Sequence, residues 1–270
     1  MNKIAARDMV VPNIHLLTVE APDMPGKLRA GHFIMVKADE FGERIPLTVA
    51  DWDEQSGTVT CALMQAGRST RKLAEMNAGD CVSTFVGPLG KPLQIEKFGT
   101  VVCAGGCYGI GSIYPVARAM KAAGNRVITL IEARGRYLVY WEDKLRETSD
   151  VLMVSTSDGS TPFRGRNSDR LRVLIEDGEE IHRVIAMGCT FMMADISETT
   201  RPAEIPTRVS LNTVMVDGTG MCGACRVEVD GNTRFACVDG PDFDGHAVNW
   251  DLLRIRRRAY YHQETISEER

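Results

Sequence analysis

Three of the chain's eight cysteines, Cys222, Cys225 and Cys237, crowd into 16 residues near the C-terminal end. The stretch around them, Asp217–Asp244, is rich in glycine and shows no helical period. The other five cysteines, Cys61, Cys81, Cys103, Cys107 and Cys189, are scattered, mostly through apolar strand-like contexts. No apolar run approaches the ~18 residues of a membrane span, and Met1–Asp8 lacks the apolar core of a signal peptide. A cytoplasmic protein is therefore expected, with cysteines kept as thiols or metal ligands. The 32 basic against 36 acidic residues leave a net charge of −4. That gives no overall basic field and argues against a nucleic-acid partner.

The cluster reads Asp217-x4-Cys222-x2-Cys225-x11-Cys237. C-x4-C-x2-C…C is the plant-type spacing for a [2Fe–2S] cluster, here with Asp217 at the first cysteine's place. Gly218, Gly220 and Gly223 let the backbone pass close to the sulfides with N–H groups aimed at them. Cys237 follows an expected hairpin, Arg226–Phe235, turning at Asp230-Gly231-Asn232. Two alternatives stay open at this point: a structural zinc site with Asp or His as fourth ligand, and free thiols. A carboxylate is a harder ligand than a thiolate, so iron bound by Asp217 should differ in potential from an all-cysteine centre.

Texture divides the rest of the chain. Residues 9–97 read as short strands punctuated by Gly and Pro: Ile14–Glu20, His32–Ala38, Ile45–Asp51, Thr58–Gln65 and Cys81–Val86, with one helix, Ser69–Asn77. In Thr58–Met64, Val59, Cys61 and Leu63 alternate with Thr58, Thr60 and Ala62, the period of a half-buried antiparallel strand. From Thr100 the apolar runs are continuous: 100–104, 127–133, 151–154 and 184–187. Such runs suit strands covered on both faces. Between them lie helix candidates Ser112–Ala123, Tyr137–Glu147, Ser168–Glu176 and Thr190–Thr200, so this part reads as a parallel α/β sheet. The expected layout is a multi-domain β plus α/β chain: a barrel over 1–97, a nucleotide-binding α/β domain over 98–211, an iron–sulfur loop domain over 212–248 and an extension over 249–270. The extension reads as an amphipathic helix with Arg254, Arg256, Arg257 and Arg258 clustered, a candidate docking element or a solvated basic face.

Two further motifs carry chemistry. Ala104-Gly105-Gly106-Cys107-Tyr108-Gly109-Ile110-Gly111 follows a buried strand and opens a helix, the context in which glycines let a pyrophosphate approach backbone N–H groups. Glu132, at the end of the next strand, suits ribose hydroxyls and NAD; Arg134 and Arg136 beside it suit a 2′-phosphate and NADP. In the barrel, Arg44-Ile45-Pro46-Leu47-Thr48 starts a strand, Gly67-Arg68-Ser69-Thr70 opens the helix as an anion site, and Gly87-Pro88-Leu89-Gly90 closes the domain.

R-x-P-L-T, then G-x-S-T, then G-P-L-G ahead of a nucleotide domain resembles the ferredoxin–NADP reductase superfamily. The resemblance implies a six-stranded Greek-key barrel holding FAD. Its contacts would come from Arg44 on the pyrophosphate, Thr48 near the flavin N5 and the Gly67–Thr70 loop on the phosphates, with Ser69 in that loop. Pro46 and Leu47 take the place of the stacking aromatic. The superfamily's nicotinamide loop, G-G-x-x-G-I-x-x-x-x-P, is matched by Gly105, Gly106, Gly109, Ile110 and Pro115, with Gly111 in the same loop. A second element appears as Gly188-Cys189-Thr190-Phe191-Met192-Met193, with Cys189 where proline is usual, and Asp158-Gly159-Ser160 marks a third.

Barrel, nucleotide domain and [2Fe–2S] loop in this order narrow the resemblance. The set includes the electron-transfer subunit of dihydroorotate dehydrogenase (usually with four cysteine ligands) and the gamma subunit of some hydrogenases. It also includes the small subunit of NADH-dependent reduced ferredoxin:NADP oxidoreductase, also described as sulfide dehydrogenase. Ser210–Gly223, Phe235–Pro241 and Phe243–Gly245 are similar to the last group, whose cluster has one Asp and three Cys ligands. For this chain the resemblance implies FAD, a [2Fe–2S] cluster on Asp217, Cys222, Cys225 and Cys237, and NAD(H) or NADP(H). It implies a larger glutamate-synthase-like flavin/iron–sulfur partner subunit and, through the complex, ferredoxin. Some members split electron pairs between the two acceptors. A flavin is the natural junction, because it works with hydrides and with single electrons. No general acid or base is required. A reading from another class is a zinc-ribbon adaptor on a degenerate reductase scaffold.

Overall fold

The computed structural model describes residues 2–263. They form two compact units. The first gathers the chain up to Lys91, then Thr213–Pro241 and the stretch from Ala247; the second holds Pro92–Asn212 and Asp242–His246.

In the first unit seven strands make one antiparallel sheet. They are β1 (Asn2–Val11), β2 (Ile14–Glu20), β3 (Phe33–Lys37), β4 (Ile45–Asp53), β5 (Thr58–Met64), β6 (Cys81–Val82) and β7 (Thr84–Leu89), with helix α1 (Arg68–Glu75) between β5 and β6. Their order is β6-β1-β2-β5-β4-β3-β7. β2 lies beside β5 rather than β3, which makes β2–β5 a Greek key. The single strand expected over Cys81–Val86 is two strands on opposite edges of the sheet: β6 pairs with β1 and β7 with β3. Ser83 between them donates its N–H to the Lys37 and Ala38 carbonyls. That split nearly closes the barrel and makes the strand count seven instead of six. Ile4, Leu17, Ile34, Val59 and Leu63 fill the interior, and Leu73 of α1 packs on them. Each such side chain contributes about 1.5–3 kcal/mol by burial. The alternation in β5 is as expected, with Val59, Cys61 and Leu63 inward.

The second unit alternates strands and helices: β8 (Thr100–Gly106), α2 (Gly109–Ala122), β9 (Arg126–Ala133), α3 (Glu142–Glu147), β10 (Val151–Thr156), β11 (Phe163–Arg164), α4 (Asn167–Glu176), β12 (Arg183–Met187), α5 (Thr190–Thr200) and β13 (Thr207–Ser210). The cysteine segment then adds a hairpin, β14 (Arg226–Val229) and β15 (Asn232–Phe235), to the first unit. Asp230 and Gly231, with φ of 52° and 67°, give the hairpin the left-handed turn that matches strand twist. β16 (Asp242–Asp244) returns to pair antiparallel with β13, and α6 (Trp250–Arg257) follows. The part of the expected extension beyond residue 263 lies outside the described residues.

The second sheet has the order β11-β10-β9-β8-β12-β13-β16 and is parallel up to β13. Every residue of β8 is buried, which explains its unbroken apolar run. Chain direction through the sheet reverses between β8 and β12, and such a switch point opens a crevice beyond the strands' C-terminal ends. The helix expected over Tyr137–Glu147 is shorter. Trp141 adopts φ 56°, and its ring packs edge-on against Tyr114 and Tyr140, so α3 starts only at Glu142. Among the described residues no helix is long and apolar enough to cross a membrane.

Candidate functional site

The cysteine loop turns at Gly218, Gly220 and Gly223, all at positive φ (77°, 89° and 68°), which only glycine adopts without strain. Its four expected ligands fall into two pairs. Cys225 and Cys237 are both buried, with Sγ atoms 3.2 Å apart. Asp217 and Cys222 form the other pair, joined by the Cys222 N–H on the carboxylate, with the thiol near enough to help lower the carboxyl's pKa. Asp217 Oδ1 accepts the Thr219 N–H and Oδ2 the Cys222 N–H, both at 2.7 Å. These N–H groups, Thr219's above all, hold its carboxyl below the usual range. Burial, and then the Cys225 thiol beside it, push Cys237 up to about 12. A metal's charge is what would convert such thiols to thiolates.

One zinc ion would need all four groups around a single point, and among the described residues no three such side chains converge that way. Two irons need two pairs. With bonds of about 2.3 Å, thiolates on one tetrahedral metal stand about 3.8 Å apart, a small widening of the Cys225–Cys237 contact. The donor set therefore fits a binuclear cluster, with Asp217 and Cys222 on one iron and Cys225 and Cys237 on the other.

The barrel motif lies in the same unit. Arg44 is exposed just before β4, Pro46 and Thr48 are half-buried on β4, and Leu47 points into the core. Gly67 precedes α1, and Ser69 and Thr70 sit in its first turn, where backbone N–H groups lack intrahelical acceptors. Thr70 Oγ1 accepts the Ala66 and Gly67 N–H groups and donates to the Gly67 carbonyl, which fixes that turn. A cleft of about 620 Å³ is lined by Glu43–Pro46, Thr213–Val216, Tyr260 and Gln263. An arginine beside an apolar wall suits a flat ring system carrying phosphates. Thr213–Val216 runs directly into Asp217.

In the second unit Gly105 and Gly106 end β8, and Gly109 and Gly111 open α2. A Cβ on Gly109 would stand 2.0 Å from the Met187 carbonyl oxygen, so only glycine lets α2 approach the end of β12. Tyr140 Oη accepts the Gly111 N–H, and Tyr108 Oη donates to the Gly188 carbonyl. Glu132 is at the end of β9, its carboxylate accepting the N–H of Asn167 at the start of α4; burial raises its pKa. Arg134 and Asp158 are exposed, and Asp158 accepts from the Ser160 N–H and hydroxyl, the hydroxyl first in lowering its pKa. Arg136 pairs with Glu142. A separate groove of about 670 Å³ between α4 and α5 holds none of these expected contacts. Sequence reasoning missed Tyr108, Tyr140, Asn167 and Asn212. Only the positions of Tyr108 in the glycine loop and Asn212 ahead of the cysteine loop offered a signal.

A nearly closed Greek-key barrel with one helix, a doubly wound sheet with a glycine loop at its switch point, and a paired acid–thiol loop together define a ferredoxin-reductase-like electron-transfer protein. Comparison with known proteins agrees. Residues 212–249 match the iron–sulfur cluster binding domain of dihydroorotate dehydrogenase B. A Thermotoga maritima protein named dihydroorotate dehydrogenase B (NAD(+)) electron transfer subunit homolog is 40% identical, over 100% of this chain and 95% of that one. An uncharacterised protein in the adh 3′ region of Clostridium beijerinckii is 43% identical, over 98% of this chain and 92% of that one. The structure of an NADH-dependent reduced ferredoxin–NADP oxidoreductase, described for flavin-based electron bifurcation, superposes with TM-score 0.94 at 39% identity. That match covers 100% of this chain and 97% of that one. The chain belongs to the family of dihydroorotate dehydrogenase B electron-transfer subunits and their homologues. It is the electron-transfer subunit of a heteromeric flavin/iron–sulfur oxidoreductase with a larger catalytic subunit. The zinc-adaptor reading gives way to the iron–sulfur match.

Proposed function

We propose that this chain is the nicotinamide-facing subunit of a cytoplasmic ferredoxin:NAD(P) oxidoreductase of the kind just compared. Arg44, Pro46, Thr48 and the first turn of α1 hold FAD. The loop from Gly105 to Gly111 holds NAD(H) or NADP(H). Asp217, Cys222, Cys225 and Cys237 hold a [2Fe–2S] cluster. Bound FAD supplies the chemistry, taking two electrons as hydride and releasing them singly. The protein's residues align the flat rings, neutralise the pyrophosphate and set the polarity around the irons. The acceptor is a larger glutamate-synthase-like flavin/iron–sulfur subunit, with ferredoxin served through the complex.

One observation carries this reading: Thr213–Val216 lines the cleft of Arg44 and Pro46 and then becomes the ligand loop, so flavin motif and cluster ligands adjoin within one unit. A second reading, a dihydroorotate dehydrogenase electron-transfer subunit, is favoured by the family match over 212–249. Asp217 in the first ligand position speaks for the first. Anaerobic purification of the native complex, with flavin, iron and sulfide measured and partner chains identified, separates them. A larger flavin/iron–sulfur chain and bleaching by NADH or NADPH support the proposal. A dihydroorotate-oxidising partner selects the alternative. A preparation without flavin and inorganic sulfide rejects both.

A further inference from the structure

We infer that Asn212 is a positioning residue for hydride transfer, its amide bracketing the two loops that bound the coenzyme crevice. The inference rests on the functional reading above and gives a role to a residue that none of the proposed cofactor contacts includes. The crevice beyond β8 and β12 is bounded by residues 106–109 on one side and 187–190 on the other. Asn212 Nδ2 donates to Tyr108 Oη at 2.5 Å and to the Gly188 carbonyl at 3.2 Å. Tyr108 Oη donates to the same carbonyl at 2.9 Å. Thr190 Oγ1 donates to Asn212 Oδ1 at 2.9 Å.

The Gly188 carbonyl, and the phenol that already donates to it, need donors, which turns Nδ2 of the amide toward them; the Thr190 hydroxyl, able to donate or accept, then donates to Oδ1. Both lone pairs of the Gly188 carbonyl are engaged, so its peptide plane is fixed. At the other end of the bracket the loops already touch through backbone, at Gly109 and Met187. Backbone contact and hydrogen bonds thus set the spacing of the loops from two sides. Hydride transfer needs reacting atoms about 3–3.5 Å apart, and a displacement near 1 Å can cost about 100-fold in rate. Asn212 is also the last residue of its stretch of the second unit; Thr213, which lines the Arg44 cleft, follows it.

The test uses the FAD- and cluster-loaded full chain in its native complex, with NADH and NADPH as probes. Asn212→Ala should slow flavin reduction in stopped flow about 10- to 100-fold. It should raise coenzyme KM by a smaller factor, weaken coenzyme binding by calorimetry, and leave flavin and cluster spectra unchanged. Hydrogen exchange should quicken in residues 106–111 and 188–192. Asn212→Asp can replace the amide donor only when its carboxyl is protonated, so flavin reduction should fall with rising pH, a limb absent from Asn212→Ala. The other titratable side chains on the packed elements, Tyr108, Cys107, Cys189 and Glu132, are common to all variants. Wild-type rates and exchange in Asn212→Ala would overturn the inference, as would a flat profile in Asn212→Asp or equal loss of flavin and cluster. If the wild-type complex is reduced by neither coenzyme, the functional reading falls and this inference with it; normal wild-type reduction with an unaffected Asn212→Ala removes the inference alone.

Discussion

Gly109→Ala tests the coenzyme crevice most directly. The added Cβ would stand 2.0 Å from the Met187 carbonyl oxygen, 2.6 Å from its carbon and 2.7 Å from Gly188 Cα. Ordinary contact begins near 3.4 Å, so α2 and the end of β12 must part by roughly 1.4 Å. All three atoms are backbone, and no rotamer change relieves them. Overpacking of this kind costs about 3 kcal/mol. Loss of the Tyr108–Gly188 hydrogen bond adds about 1 kcal/mol, and the better helix propensity of alanine at the start of α2 returns about 1 kcal/mol. The net of about 3 kcal/mol should lower the melting temperature of the second unit by roughly 10 °C. The same displacement should weaken nicotinamide-coenzyme use about 100-fold. Differential scanning calorimetry and coenzyme titration read both. Gly26→Ala, where a Cβ meets nothing within 4 Å, is the control and should change stability by less than about 0.5 kcal/mol. A Gly109→Ala protein with wild-type melting and coenzyme affinity would refute the geometry.

Asp217→Ala should lose or perturb the cluster while FAD stays bound, and Asp217→Cys should retain a cluster at a shifted potential. An unchanged electron paramagnetic resonance spectrum in both would rule out ligation. Arg44→Ala removes one charge-assisted contact worth about 1.5–3 kcal/mol, so FAD should dissociate about 10- to 100-fold more readily in fluorescence titration; unchanged retention would dismiss the assignment. Asp242 supplies a pH prediction. Burial raises its pKa from 3.8 to about 6 despite the 2.6 Å pair with Arg208. The folded state therefore holds this proton longer than the unfolded chain, and stability falls as pH rises between about 4 and 6, by roughly 3 kcal/mol in total. Asp242→Asn should flatten that part of the stability profile, and an unaltered slope in denaturant titrations would contradict the assignment.

Periodicity located the elements whose burial is one-sided or complete. β5 and α5 match their expected limits almost residue for residue, and the continuous runs became β8, β9, β10 and β12. Elements with mixed surroundings were not legible. β1 exposes Lys3 and Asp8 and buries only Ile4 and Val11, so its sequence shows little alternation. β13 is four residues long, and β16 is reached only after the cysteine segment. Fixed spacings marked the glycine and cysteine loops, whose glycines at 218, 220 and 223 take the positive φ such loops need. Asn212 and Tyr140 act through side-chain contacts 104 and 29 residues away, with Tyr108 and Gly111 respectively, and no local pattern encodes these. The pairing of the expected ligands, Cys225 beside Cys237 and Asp217 beside Cys222, likewise needed coordinates, since spacing gives four donors and no pairs.

The fold also brings residues 44–48 and the expected ligands at 217–237 into one unit, as the proposed electron path requires. Pro46 pairs with Met35 in the β3–β4 register. Gly218, the residue after Asp217, lies against Met35 and Leu89; a Cβ there would stand 2.7 Å from Met35 Cγ and 3.2 Å from Leu89 Cδ1. The cysteine loop thus lies against the strand next to Pro46, at a residue with no side chain and a φ of 77°. Any other residue there would displace the Met35 side chain and adopt strained backbone. Hydride chemistry needs a crevice of fixed width, and electron exit needs a short distance between flavin and irons. Under the proposed function the first requirement falls to the α/β unit, and the second to the barrel unit, to which the cysteine loop returns after the sheet is complete.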